Sequence, residues 1–402
     1  MNAQTILSDF ISHVTPCMHN NRRNALVDVT DSLLSGNPLT VTALGRGLKG
    51  KAYEKHKIKR SDRLLSNSHL QTERIGIYQA ITALFSAHLP HPVILVDGSD
   101  MDAYGRHFLL RASLAFSGRS ITLYEEIHTR STKEKPRTHK QFLSQLSAML
   151  PKKCKPIIIT DAGFRVPWFQ QVKALGWDFI GRIRNRNKCQ KNQYSQWINC
   201  KSLYAQATTT PSSLGEWRLT KTNQFPVQFV IVKEAQKGRH ALNRNGQKKA
   251  SSASKKAALR ESEPWLLATS LPVKTVGAVK YVVNGYTTRM QIEEAFRDLK
   301  SVRWGFAGNL QATRKEHRLS VLMLVATLAH IVVLLGGLAV VASGQAGRYQ
   351  VNTLRKRRVL SLCFLGYRAW QNPDFHFTPS IWKSVITLMG EILLELHGPR
   401  YV

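Results

Sequence analysis

The sequence predicts an α/β protein, a mixed layer of strands and helices in the middle of the chain with helical segments on either side. Three observations carry this. The runs PVILVD, HFLLRASLAF, RSITLYEEIH, KPIIIT and WDFIGRIR are apolar and of strand length. Between them, KQFLSQLSAML and VPWFQQVKAL repeat apolar residues at helical spacing. Helical spacing also dominates residues 1–85 and returns beyond residue 313, punctuated early by Gly36, Pro38, Gly45, Gly47 and Gly50.

Taken in order, residues 1–85 read as a helical domain. Within them, LTVTALGRGLKGKAYEKHKIKRSDRLLSN predicts a short helix ending near Gly45, a turn and a basic helix, the pattern of a helix-turn-helix. Lys55, Lys57, Lys59, Arg60 and Arg63 would then meet phosphates; a charged linker fits the same residues. Residues 86–183 hold three strands, the second and third joined at Gly118, then helix, strand, helix and strand. Residues 184–264 break the pattern with the β-like EWRLTKT and VQFVIVKE and with a Lys-, Arg-, Ser- and Ala-rich run whose low apolar content predicts order only on a partner. Residues 265–312 resume with the strand WLLATSLP and a long helix. Residues 313–402 form a helical C-terminal region containing the basic run LRKRR and the helix SIWKSVITLMGEILLEL.

The 402 residues carry 58 Lys and Arg against 25 Asp and Glu, a formal charge of +33. Such an excess calls for a polyanionic partner, DNA or RNA. The five cysteines, Cys17, Cys154, Cys189, Cys200 and Cys363, have no short paired spacing, so neither a zinc module nor a disulfide framework is indicated. The opening MNAQTILSDF lacks a secretion signal, so a cytoplasmic protein is expected. Leu319–Gly344 is long enough to span a bilayer, yet a lone apolar segment late in so charged a chain predicts a buried core or oligomer helix.

The most informative stretch is YTTRMQIEEAFRDLK. As one helix it stacks Tyr286, Arg289, Glu293, Arg297 and Lys300 on one stripe, with Ile292, Ala295, Phe296 and Leu299 on the adjoining apolar face. One acid among cations and a phenol suits a carboxylate that holds a metal while its neighbours grip phosphates. A solvated face with ordinary i,i+4 ion pairs explains the stripe equally well. Asp97 closes PVILVD and Asp161 follows KPIIIT, each at a strand end where a rigid sheet can present a carboxylate. Either could instead be a turn or cap residue, and Asp100 is a lesser candidate. Together with Glu293 they make three carboxylates in a basic chain, the donor set of a two-metal phosphoryl-transfer site.

Tyr286-x2-Arg289-x3-Glu293-x6-Lys300 resembles the YREK signature of bacterial DDE transposases of the insertion-sequence-four family. LVDGSD, TDAGF and PWLLATSLP are similar to that family's other blocks, and the likeness extends through LTVTALGRGL and HKIKRSDRLLSN. The resemblance implies a ribonuclease-H-like core with a β-rich insertion. It implies that Asp97, Asp161 and Glu293 bind two Mg2+ ions, replaceable by Mn2+, and that Tyr286, Arg289 and Lys300 contact phosphates of the DNA end. Trp265 would stack on a base flipped out beside the cut, although an indole opening a buried strand has the same look. The implied partners are double-stranded DNA, as terminal inverted repeats and target, and a second copy of the chain, without a membrane. Gly98 and Met290 stand where family members often carry Trp. Glu294 beside Glu293 leaves assignment by residue type ambiguous, and the helical stripe favours Glu293. A repressor without catalysis and a metal-dependent nuclease without strand transfer are the competing readings.

Overall fold

The computed structural model describes residues 3–102, 104–184, 187–234, 247, 251–252, 263–303, 305–351, 353–354 and 358–398. In chain order the described residues form α1 (Ala3–Val14), α2 (Asn20–Leu34), α3 (Val41–Arg46), α4 (Glu54–Leu65), α5 (Ser68–Ser86), β1 (Val93–Asp100), β2 (His107–Ala115), β3 (Ser120–Thr129), α6 (Pro136–Met149), β4 (Ile157–Thr160), α7 (Val166–Ala174) and β5 (Asp178–Ile183). Then come β6 (Lys188–Gln190), β7 (Ile198–Asn199), β8 (Ser212–Leu219), β9 (Phe225–Val232), β10 (Trp265–Thr269), α8 (Val276–Thr288), α9 (Met290–Lys300), α10 (Glu316–Ala342), α11 (Leu362–Trp370) and α12 (Pro379–His397). The basic run of residues 235–262 lies almost wholly outside the described residues, as do residues 355–357 of LRKRR.

Helix starts follow local chemistry. Thr40, Asn67, Thr275, Ser361 and Thr378 each accept a backbone N–H three residues on, which satisfies one of the unpaired donors at a helix start. The expected helix-turn-helix is a helix–loop–helix: residues 47–53 separate α3 from α4, longer than the usual turn of about 3–4 residues. A Cβ on Gly45 would lie 2.5 Å from the Ile58 Cα, so only glycine lets α3 and α4 approach this closely.

The chain divides into two units. The first, Met1–Cys154 with Met290–Gly398, holds α1–α6, β1–β3 and α9–α12. Its strands run antiparallel in the order β3-β2-β1. β1 continues to Asp100 because Phe108–Arg111 offer it partners, so Asp97 stands inside the strand and not at its end as expected. α10 is the hub on which α1, α2, α4, α5, β3, α11 and α12 pack. By length and composition it could cross a membrane, but 89% of its most apolar window, of mean hydropathy 2.5, is buried within the fold. Its polar residues are engaged there: Thr327 donates to Glu125 at 2.8 Å, and His330 meets Cys363 at 3.2 Å. Gly337 and Gly366 let α10 and α11 touch backbone to backbone. The chain's own elements thus cover α10, which is the buried core helix of the two alternatives expected for this apolar segment. The helices of residues 1–85 pack on one another and on this hub. α12 closes the unit, where His397 Nδ1 accepts the Val93 N–H at 3.0 Å and Nε2 donates to the Ala115 carbonyl at 2.9 Å.

The second unit spans Lys155–Arg289. β4 and β5 pair in parallel, as expected for strands joined through a helix, here α7. β10 then pairs antiparallel with β5 on one side and β9 on the other, followed by β8, β6 and β7. The β-rich stretch expected over residues 184–264 therefore extends the sheet of β5 and β10. α8 covers β4, β5 and β10.

Candidate active site

Strand register builds the site in the first unit. Asp97 lies opposite Arg111, and Arg111 opposite Glu125. Directly opposed residues project from the same face of a sheet, so the three form a row across β1, β2 and β3. Arg111 and Glu125 are buried, with Arg111 Nε donating to Glu125 Oε2 at 2.8 Å. The other Glu125 oxygen accepts the hydroxyls of Tyr78 and Thr327, each at 2.8 Å. A buried ion pair persists only when its remaining hydrogen-bonding capacity is filled in this way. Asp97 occupies the open end of the row, where the burial that runs from Val93 through Val96 stops. Its Oδ1 accepts the Gly98 N–H at 2.8 Å.

α9 lies on that same face. The Arg111 guanidinium stands 5.0 Å from the Phe296 ring centroid, and Lys300 Nζ donates to Ser99 Oγ at 2.6 Å and to the Asp100 carbonyl. Ser99 is two residues from Asp97 and so shares its face. Glu293, seven residues before Lys300, falls on the Lys300 stripe of α9 and is exposed. The first unit thus presents Asp97 and Glu293 toward one face. Glu294 is committed elsewhere, to Arg297 at 2.7 Å and Arg119 at 3.7 Å, which separates the two adjacent acids. Arg297 is explained by the same pair. Burial lowers the Lys300 pKa while Asp100 raises it and Arg111 lowers it.

The second unit carries Asp161, Trp265, Tyr286 and Arg289. Asp161 directly follows β4 and its Oδ1 accepts the Gly163 N–H at 2.8 Å. The cap position of α7 belongs to Arg165, so the helix-cap reading of Asp161 does not hold. Tyr286 and Trp265 meet edge to face, and the Arg289 guanidinium stands 5.7 Å from the Tyr286 centroid. Burial, the largest effect, raises the Tyr286 pKa; Arg289 and Arg182 pull it down and Asp161 pushes it up, so these groups form one electrostatic neighbourhood with a protonated phenol at its centre.

Two expectations need correction. The helix read as continuous from Tyr286 to Lys300 breaks at Arg289, whose N–H reaches back only three residues to the Tyr286 carbonyl at 3.1 Å before α9 begins. The five residues are therefore divided between two consecutive helices, with Tyr286 on α8, Glu293, Arg297 and Lys300 on α9, and Arg289 between them. Tyr286, expected on the charged face, is only 4% exposed because its ring packs against Trp265. Sequence reading also missed Arg182. It sits on β5 opposite Leu267 of β10, partly buried, with its Nε lacking a hydrogen-bond partner. An arginine in an otherwise apolar strand was its only signal.

On α4, Lys59, Arg60 and Arg63 are exposed and Lys57 is half-buried. Arg60 pairs with Asp28, so part of this basic face is already neutralised.

Asp97 and Glu293 in the first unit and Asp161 in the second each offer hard oxygen donors at positions that solvent reaches, the donor type that magnesium and manganese take. Transposases of the DDE type generally use divalent metal ions. None of the curated proteins matches the chain. The family model for the transposase DDE domain matches residues 88–332. That match runs from just before β1 into α10 and takes in Asp97, Asp161 and Glu293. Covering more than half of the 402 residues, it shows that the chain belongs to the transposase DDE domain family.

Proposed function

We propose that the chain is a cut-and-paste DNA transposase of the insertion-sequence-four type with a ribonuclease-H-like catalytic fold. In this reading Asp97, Asp161 and Glu293 are its metal-holding carboxylates. The observation that carries the reading is the seating of α9 on the Asp97 face of β1, fixed by the Lys300 bond to Ser99.

When bound, a pair of Mg2+ ions would lower the barrier for in-line attack on a phosphodiester by polarising the attacking and leaving oxygens. The chain's own residues supply position. Lys300, held at the end of β1, and Arg289 would grip phosphates of the DNA end as point charge and fork. Tyr286 keeps its proton, so its hydroxyl is a donor toward a phosphate oxygen. Trp265 offers a partly exposed indole for stacking on an extruded base. Lys57, Lys59, Arg60 and Arg63 of α4 would hold the terminal inverted repeat through its backbone. The proposed sequence is a nick at the element end, attack by the freed 3′-hydroxyl on the opposite strand to form a hairpin, hairpin opening, and joining of the same 3′-hydroxyl to target DNA. Two chains would act on two ends, with the helices of the C-terminal region, residues 313–402, as the interface.

The test is cleavage of linear DNA bearing the terminal repeats in Mg2+, followed by transfer into a target plasmid. Cleavage without joining would leave a nuclease, and binding without cleavage a repressor.

A further inference from the structure

We infer that Arg119, in the turn between β2 and β3, is the positioning residue for Glu293. The inference rests on the proposed role of Glu293 as a metal-holding carboxylate. It identifies what fixes that carboxylate in place.

α9 has 11 residues, a length at which an isolated helix is marginal, so tertiary contacts must set its rotation. Seen along its axis, α9 has three sectors. Ile292, Ala295, Phe296 and Leu299 form the buried sector. Glu293 and Lys300 form the second. Gln291, Glu294 and Asp298 form the third, and every one of them is tied to the β2–β3 turn. Gln291 Oε1 accepts the Phe116 N–H at 2.7 Å. Arg119 Nε donates to Asp298 Oδ2 at 2.5 Å and its Nη2 to Asp298 Oδ1 at 3.3 Å, and Nη2 also lies 3.7 Å from Glu294. The apolar sector alone would tolerate sliding and small rotations. A two-pronged guanidinium bond to Asp298, with Glu294 one turn away in ion-pair range of the same group, does not.

The anchor is rigid on its far side as well. Asp298 Oδ2 lies 3.8 Å from His330 Nε2 of α10, and His330 meets Cys363 of α11. By residue type Asp298, His330 and Cys363 could hold a metal ion. Arg119, however, occupies both Asp298 oxygens and already balances its charge, and a dication there would face the guanidinium at contact distance. The cluster is therefore a clamp, which joins α9 to the turn, α10 and α11. Gly118 (φ +71°) supplies the left-handed backbone that lets this turn present Arg119.

A carboxylate misplaced by about 1 Å can cost on the order of 10²-fold in rate. The test uses the full chain and terminal-repeat DNA, with cleavage rate measured against Mg2+ and Mn2+ concentration. Arg119→Gln is expected to raise the half-saturating Mg2+ concentration by about tenfold or more and to slow cleavage by about 10²-fold at fixed Mg2+. High metal or Mn2+ should restore part of the rate, Arg119→Lys should recover part of it, and DNA-end binding should be unchanged. Arg119→Gln with a wild-type metal titration would overturn the inference. So would a slower rate with unchanged half-saturation. Should Arg119→Gln fail to fold, Gln291→Ala, at a half-buried site, decides the matter: a raised metal requirement supports the clamp and a wild-type curve overturns it. Glu293→Gln run in parallel separates the two readings. If it cleaves normally, the role of Glu293 is wrong; if it is dead while Arg119→Gln behaves as wild type, only the clamp is wrong.

Discussion

Trp265 meets the ring of Tyr286 edge-on, with centroids 4.9 Å apart and planes at 74°. Trp265 is partly exposed and Tyr286 buried, so the tyrosine supports the indole from beneath. Trp265→Ala should remove a stacking platform worth about 1–3 kcal/mol per base and reduce hairpin yield, while the first nick is largely kept. Trp265→Phe should lose less. Tyr286→Phe keeps the edge contact and should affect cleavage only through its hydroxyl. A gel assay that resolves nicked, hairpin and open products reads all three, and a normal hairpin yield for Trp265→Ala would remove the stacking role.

Alanine at Asp97, Asp161 or Glu293 should lower cleavage by at least about 10³-fold, as expected when several kcal/mol of charge stabilisation is lost. Glu294→Ala should cost far less, because Glu294 is paired with Arg297 and Arg119. Equal losses at Glu293 and Glu294 would contradict the assignment.

His397 gives the fold a pH dependence. Burial pushes its pKa down from 6.5 to about 4, and both ring nitrogens are engaged in the neutral form. Its contribution is complete above about pH 6.5, where the unfolded chain is also neutral, and is lost as pH falls toward about 4. The difference corresponds to about 3 kcal/mol. Urea denaturation at pH 7 and pH 4.5 should show His397→Gln losing less stability on acidification than the parent.

At Gly366 a Cβ would lie 1.8 Å from the Val333 carbonyl oxygen. Gly366→Ala should therefore force α11 away from α10 and cost about 1–3 kcal/mol or more. In α12 a Cβ on Gly390 meets nothing within 4 Å, so Gly390→Ala should stabilise by about 0.5–1 kcal/mol. Thermal melting midpoints that move in opposite directions would bear out both.

The strands were legible because short apolar runs between turn residues leave few other solutions, and Ile157–Thr160 and Trp265–Thr269 appear where those runs are. Asp97, Asp161 and Glu293 stand out in the sequence through their places after the apolar runs PVILV and KPIIIT and within the stretch 286–300. The break at Arg289 was not legible: residues 286–300 keep a helical period straight through it, and tertiary packing assigns the two halves to different units. The buried Arg111–Glu125 pair and the Arg119–Asp298 clamp were equally hidden, since a basic residue in a strand or turn looks the same in sequence whether it meets solvent or a carboxylate. The apolar segment near residue 330 was legible as a buried helix, but its covering by the chain's own N-terminal and C-terminal helices was not.

The bond from the Val93 N–H to His397 spans 304 residues of sequence. During synthesis the first strand of the sheet leaves the ribosome long before the helix that closes its end, so the first unit stays open until α12 has emerged. Such distant closure slows folding and prolongs the exposure of apolar surface. Fragments that stop after α11 should therefore accumulate as aggregates and not as smaller folded proteins.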